Sequence, residues 1–236
     1  AFRDFRAKAE SDGRWNSEDD LILTEDWARI IMHLPYAFQA KRMFPAVFAF
    51  ERRDSPSWAE VESEIGQRPS LDDFDDTPDG QEEFQRALDA YRRRISKTAA
   101  YREFHSERIE KGRRASSLIG NQYTGSIFLA LMSTFESDYE SDSPLDDKRF
   151  GLCGYGSGAK AKVFEGIVNK RWREIVSGWK LFERMAGRMA IDQITYEELH
   201  KGIHTGSVLK PRGEFALVEV GAEGVLEGAS TYAWVD

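Results

Sequence analysis

Apolar and polar positions change period several times along this chain, and each change marks an element. Trp27-Ala28-Arg29-Ile30-Ile31-Met32 is a short, near-continuous apolar run bounded by Asp26 and His33. Such a run predicts a strand buried on both faces in a parallel sheet. Pro35 ends it, and helical character resumes over 36–50. Residues 2–11 predict a short helix stopped by the Asp12-Gly13 turn. The stretch 121–135 is small and apolar, which predicts a buried helix that can approach a sheet closely. Residues 150–154 predict a strand ending in Tyr155-Gly156-Ser157-Gly158, with its paired strand over 159–168. Thr195 and Glu198 have capping-box spacing for a helix running to His200. Two terminal strands are predicted over 215–220 and 231–235.

Between these lies a stretch of different character. Residues 51–80 carry Pro56, Pro69, Pro78 and an acidic cluster over 72–79, predicting a surface excursion with one helix near 57–65. Residues 81–111 predict one or two long charged helices, with Phe84, Leu88, Tyr91 and Ile95 at three- and four-residue spacing. On this pattern 51–112 is the least core-like region and reads as a helical insertion within one domain spanning 1–236.

The formal charge of −8 argues against a protein that grips nucleic-acid backbone, since such proteins present a basic face. Two local basic runs, Arg92-Arg93-Arg94 and Lys111-Gly112-Arg113-Arg114, read first as solvated helix faces and second as contacts for a phosphorylated cofactor tail. One cysteine, Cys153, permits no internal disulfide and fits a reducing, cytoplasmic setting. No apolar run has the length of a membrane span and no signal-peptide pattern opens the chain, so neither membrane nor nucleic acid is an expected partner. The chain opens inside helix-like sequence, which reads as the edge of a longer polypeptide.

The candidate chemistry is sparse. His33 falls at the C-terminal end of a predicted strand, where open α/β sheets bind ligands, although a structural histidine is the plainer reading. Asn121 reads as a helix N-cap. The turn at 154–158 lacks the G-x-G-x-x-G spacing of a nucleotide loop, but its glycines let backbone N–H groups come close to a ligand. Cys153, inside a strand, reads as core packing and not as a nucleophile. His200 and His204 have i, i+4 spacing but no third ligand, so no metal site is expected, and His105 on a charged helix reads as chemically idle.

The order of these features carries more than any one of them. Met32-His33-Leu34-Pro35-Tyr36, then Gly120-Asn121-Gln122-Tyr123-Thr124-Gly125-Ser126, then Gly154-Tyr155-Gly156-Ser157-Gly158 resembles the C-terminal half of the thiolase superfamily, and within it the 3-hydroxy-3-methylglutaryl-CoA synthases. The resemblance implies an α/β fold with helices packed on a mixed, mostly five-stranded sheet. It implies condensation of acetyl-CoA with acetoacetyl-CoA, in the mevalonate route to isoprenoids, with CoA thioesters as substrates and no further cofactor. By similarity His33 would polarise the ketone or thioester oxygen, with Asn121 beside the same acyl group. Gly154 and Tyr155 backbone N–H groups, with Ser157, would form the oxyanion and acyl pocket, and Tyr123 and Tyr155 would wall it. Lys41 would meet CoA. The family's nucleophilic cysteine and general-base glutamate belong to an N-terminal thiolase-like half, the expected partner, so this chain alone would be inactive. A homodimer is implied. The family's usual lysine five residues after the histidine is Phe38 here. That departure keeps open a related enzyme acting on carrier-protein-bound acyl groups, as in polyketide β-branching, and a non-catalytic acyl-CoA-binding or partner-binding subunit.

Overall fold

The computed structural model describes residues 1–14, 22–156 and 160–236. These divide into two compact units, Ala1–Met185 and Ala186–Asp236. The first holds α1 (Phe2–Ser11), α2 (Leu23–Asp26), β1 (Arg29–Met32), α3 (Gln39–Arg52), α4 (Trp58–Ile65), α5 (Pro78–Ile95), α6 (Ala99–Arg108) and α7 (Glu110–Ile119). It continues with α8 (Ser126–Glu140), β2 (Arg149–Gly156), β3 (Lys160–Ile167), α9 (Trp172–Ser177) and α10 (Leu181–Ala186). The second unit has α11 (Gln193–His200) and a hairpin of β4 (Glu214–Val220) and β5 (Ser230–Val235).

The sheet of the first unit runs β1-β2-β3. β1 pairs parallel to β2, with Arg29 opposite Phe150 and Met32 opposite Cys153, and β2 pairs antiparallel to β3. The architecture is therefore α/β with a mixed sheet. Among the described residues the strands are divided between this three-stranded sheet and a two-stranded hairpin, in place of a single five-stranded sheet. The apolar run that predicted β1 is buried as expected, with Ile30 and Ile31 almost wholly inaccessible. Trp27 lies fully buried just before it, with the rings of Phe2 and Phe5 5.8 and 5.9 Å away. Gly151 makes room for it: a Cβ there would lie 2.0 Å from the indole.

Residues 66–79 are largely exposed, as expected of a surface excursion, and the expected helix near 57–65 is α4, but the helices of 51–112 are not peripheral. Trp58, Val61, Ile65, Tyr91, Ile95, Tyr101, Phe104 and Ile109 belong to the same buried cluster as β1 and Phe44 of α3. The charges that dominate the composition occupy the outer helix faces, while three- and four-residue spacing turns the apolar stripe inward. The second basic run is likewise more than a solvated face. The Lys111 ammonium donates to the buried Asp138 carboxylate at 2.5 Å, and Arg114 stacks on Phe182 at 3.5 Å.

Two expected caps move. α11 opens on Asp192, whose Oδ1 accepts the Thr195 N–H at 2.7 Å, so Thr195 is the capped residue and not the cap. Asn121 does not cap α8 directly, because a 3-10 turn over Tyr123–Gly125 intervenes and α8 begins at Ser126 without a side-chain cap.

Candidate active site

The site is placed by the direction of α8. At the start of β1 the Arg29 guanidinium donates to both oxygens of Asp138, near the C-terminal end of α8, at 2.8 and 2.5 Å. At the other end, Ile127 near the start of α8 is the nearest neighbour of Gly154 on β2. α8 thus runs antiparallel to β1 and β2. The turn bearing Asn121 and the strand end bearing His33 reach the same edge of the sheet.

His33 is the first residue past β1. Its N–H donates to the Cys153 carbonyl at 3.0 Å, extending the β1–β2 ladder by one bond and fixing where the imidazole starts. The ring meets the Tyr155 ring edge-on, centroids 5.1 Å apart at 85°. Burial pushes the His33 pKa below its ordinary value, so near neutrality the ring is uncharged, with one N–H donor and one acceptor nitrogen. Burial, and then the Tyr36 phenol nearby, push the Tyr155 hydroxyl up, which keeps it a proton donor. Tyr36 therefore joins the site by position. The sequence placed it in the strand-end motif without giving it a role.

Asn121 is a turn-former with one free hand. Its Oδ1 accepts the Tyr123 N–H at 2.7 Å and the buried Ser126 hydroxyl at 3.2 Å. Tyr123 next to it holds a left-handed backbone, φ 48°, unusual for a residue with a side chain, and its ring is 78% exposed. Tyr123 thus projects from the surface of this chain. Gly154 and Tyr155 lie on the last residues of β2, and Ser157 lies outside the described residues. A Cβ on Gly154 would make only ordinary contact with Ile127, at 3.9 Å. Lys41, on the first turn of α3, lines a cleft of about 320 Å³ with Tyr101, Arg102 and His105. At Phe38, where the resemblance expects a lysine, Arg113 of α7 places its guanidinium 5.1 Å from the ring centroid. No spacing in the sequence signalled that contact.

Cys153 is buried in the main core, and burial, followed by the Glu51 charge, pushes its thiol up to about 12. A thiol raised in this way by burial is protonated near neutral pH, as suits a residue packed in the core. In the second unit the His200 ring stacks on Tyr196. The edge of the sheet thus offers hydrogen-bonding groups without formal charge: the His33 imidazole, the Tyr155 phenol and the Asn121 amide. Such a set can hold a developing oxyanion.

A strand-end histidine, an asparagine turn opening a sheet-packed helix and a glycine-bearing antiparallel strand pair define a thiolase-like α/β protein. More narrowly, the chain belongs to the hydroxymethylglutaryl-CoA synthase family: residues 1–211 match the family model described as hydroxymethylglutaryl-coenzyme A synthase C terminal. The hydroxymethylglutaryl-CoA synthase of Haloferax volcanii is 27% identical over 192 residues, covering 79% of this chain and 42% of that protein. That of Saccharomyces cerevisiae is 28% identical over 121 residues, covering 50% of this chain and 24% of the yeast protein. The fold matches MvaS in complex with 3-hydroxy-3-methylglutaryl coenzyme A, with a TM-score of 0.67 at 24% identity, over 100% of this chain and 48% of that one. It also matches the curacin-pathway HMG synthase in complex with apo donor-ACP, with a TM-score of 0.59 at 16% identity, over 94% of this chain and 46% of that one. The chain spans less than half the length of these relatives.

Proposed function

We propose that this chain is the electrophile-activating part of an enzyme that condenses acetyl-CoA with acetoacetyl-CoA to 3-hydroxy-3-methylglutaryl-CoA. A cysteine and a glutamate supplied by an N-terminal thiolase-like half open the reaction. The thiolate takes the acetyl group and CoA leaves as its thiol. The glutamate removes a proton from the acetyl methyl, and the carbon adds to the ketone of the second thioester. His33 donates a hydrogen bond to the alkoxide as it forms, and the Asn121 amide lies beside the same acyl group. Water then cleaves the cysteinyl thioester, freeing the product and restoring the thiol. Gly154 and Tyr155 contribute backbone donors near the acyl-cysteine, and Ser157 belongs to the same loop in sequence. Lys41 meets the CoA. The enzyme works as a homodimer in the cytoplasm, in the mevalonate route, with the CoA thioesters as substrates and no further cofactor.

The single observation that carries this reading is the His33 imidazole held at the strand end, edge-on to Tyr155, while the chain's own thiol is buried. In the complete enzyme, His33→Ala should slow condensation by about 100- to 1,000-fold, as removal of one oxyanion donor does. Acetylation of the cysteine, followed by intact mass, should continue. Equal loss of both steps would refute the role. A second reading, condensation on carrier-protein-bound acyl groups, is favoured by Phe38 in place of the lysine. Comparing rates on CoA-bound and carrier-bound acetoacetate separates the two.

A further inference from the structure

The helical segment after Phe50 helps enclose a cavity of about 380 Å³ that takes no part in the reaction above. Its lining comes from α1, α3, α4, α5 and the stretch between α4 and α5. Ala46 and Ala49, three residues apart on one face of α3, line it together with Trp58 of α4 and Leu88, Tyr91 and Ile95 of α5. The four larger side chains are buried. Protein interiors are close-packed, and the two alanines leave open a space that longer side chains on α3 would fill. An apolar floor of this volume is the usual form of a small-molecule site. His33, Asn121, Tyr155 and Lys41 are not among its lining residues.

The rim of the cavity is basic. Arg3, Arg53, Arg68 and Arg92 bring four guanidinium groups to it, against the two carboxylates of Asp54 and Glu62. Arg3 and Arg68 form no ion pair among the described residues. Arg53 reaches only its exposed chain neighbour Asp54, at 3.5 Å, and Arg92 meets Asp89 at 3.0 Å. In a chain of formal charge −8, this surplus of cations makes a local positive potential that selects an anion. Arg3 and Arg53 also converge: their guanidinium carbons lie 4.9 and 5.2 Å from the centroid of the same Phe50 ring. That ring holds two donor forks side by side, with N–H groups left for an acceptor. The Tyr91 phenol makes no hydrogen bond among the described residues. Burial pushes its pKa up, Glu62 adds to that shift and Arg68 opposes it, which sets charges of the rim close to the hydroxyl.

We propose that this cavity is a binding site for a medium-chain aliphatic carboxylate. The alkyl chain lies against Trp58, Leu88 and Ile95, and the carboxylate is held at the rim by Arg3 and Arg53. A planar guanidinium fork matches the two oxygens of a carboxylate. Asp54 and Glu62 make the rim less hospitable to a doubly charged phosphate head, and so set its preference for a single charge. The apolar floor rejects carboxylates too short to reach it.

The test is calorimetric titration of the full polypeptide with decanoate, and separately with its shorter homologues, with acetate and with methyl decanoate. Decanoate should bind saturably, with an affinity that falls as salt rises. Along the homologous series affinity should climb about fourfold per added methylene until the cavity is full. Acetate, which has no chain, and the methyl ester, which has no charge, should bind far more weakly. Arg3→Gln and Arg53→Gln should each weaken decanoate about tenfold, the range of a hydrogen bond to a charged group. Ala46→Leu, which puts carbon into the cavity, should abolish binding, and unchanged melting temperatures will show that the variants fold. The homologous series on the wild-type protein reads the floor without any substitution. Absence of saturable decanoate binding would overturn the proposal, as would equal affinity for the methyl ester, which would mean a site for esterified chains. Wild-type affinity in the Arg3→Gln/Arg53→Gln double variant, or in a folded Ala46→Leu variant, would place the ligand elsewhere and overturn it too.

Discussion

The two ends of β1 are built to opposite specifications. At the N-terminal end Arg29 meets Asp138, an aspartate with no exposed side-chain surface, and Lys111 closes on the same carboxylate. Burial alone would raise the Asp138 pKa, but hydrogen bonds from Arg29, Lys111 and Ser143 outweigh it and hold the carboxyl below its ordinary value. At the C-terminal end, four residues on, His33 and Tyr155 touch edge to face with no charge between them. One end is fully satisfied and fixes α8 against the sheet. The other leaves donors unspent. A scaffold that locks its geometry at one end of a strand can keep reactive groups under-bonded at the other without losing their position.

The largest effect should come from breaking the locked end. Asp138→Ala leaves the partly buried Arg29 guanidinium and Lys111 ammonium without their counter-charge, and should cost about 3 kcal/mol in urea unfolding. A loss under about 1 kcal/mol would mean the ion pair does not hold α8 in place. The wild-type contribution also has a pH signature. Because the folded carboxyl titrates lower than the unfolded one, its stabilisation is present above the unfolded pKa and fades as pH falls through the folded value. Next in size is Gly151→Ala, whose methyl would press on the Trp27 indole and should cost about 1–3 kcal/mol. Gly154→Ala on the same strand meets only Ile127 at ordinary distance and should stay within about 0.5 kcal/mol. Equal costs at the two glycines would show that the sheet does not distinguish its ends. Smallest should be the effect of His33→Ala on folding, within about 0.5 kcal/mol by thermal melt despite its large effect on condensation. A fold that fell apart without His33 would make it a structural histidine, and the contrast between the two ends would disappear.

Much of this contrast was legible in the sequence, and the illegible part has a physical cause. β1 and His33 followed from an apolar run ended by Pro35, and α1 from its own turn signal, because each is a local pattern. The order of His33, Asn121 and the 154–158 turn carried the family resemblance. The segment 51–112 misled, because exposed charges fill its composition while Tyr91, Ile95, Tyr101 and Phe104 reach a core formed with distant residues. Lys111 looked like one of a solvated run, since the Asp138 it serves lies on the neighbouring helix. The Arg113–Phe38 contact and the Gly151–Trp27 fit were invisible for the same reason: both exist only once the chain has folded on itself.

The parallel pairing of Arg29 with Phe150 also has a consequence in time. Helices α4 to α7 close short loops, while β1 must meet β2 across all of them, and the entropic cost of closure grows with the intervening chain. Helical hairpins therefore gather before the sheet does. On that argument the edge that brings His33 to Tyr155 should be among the last features to assemble, and a chain interrupted in folding should be rich in helix and still have no site.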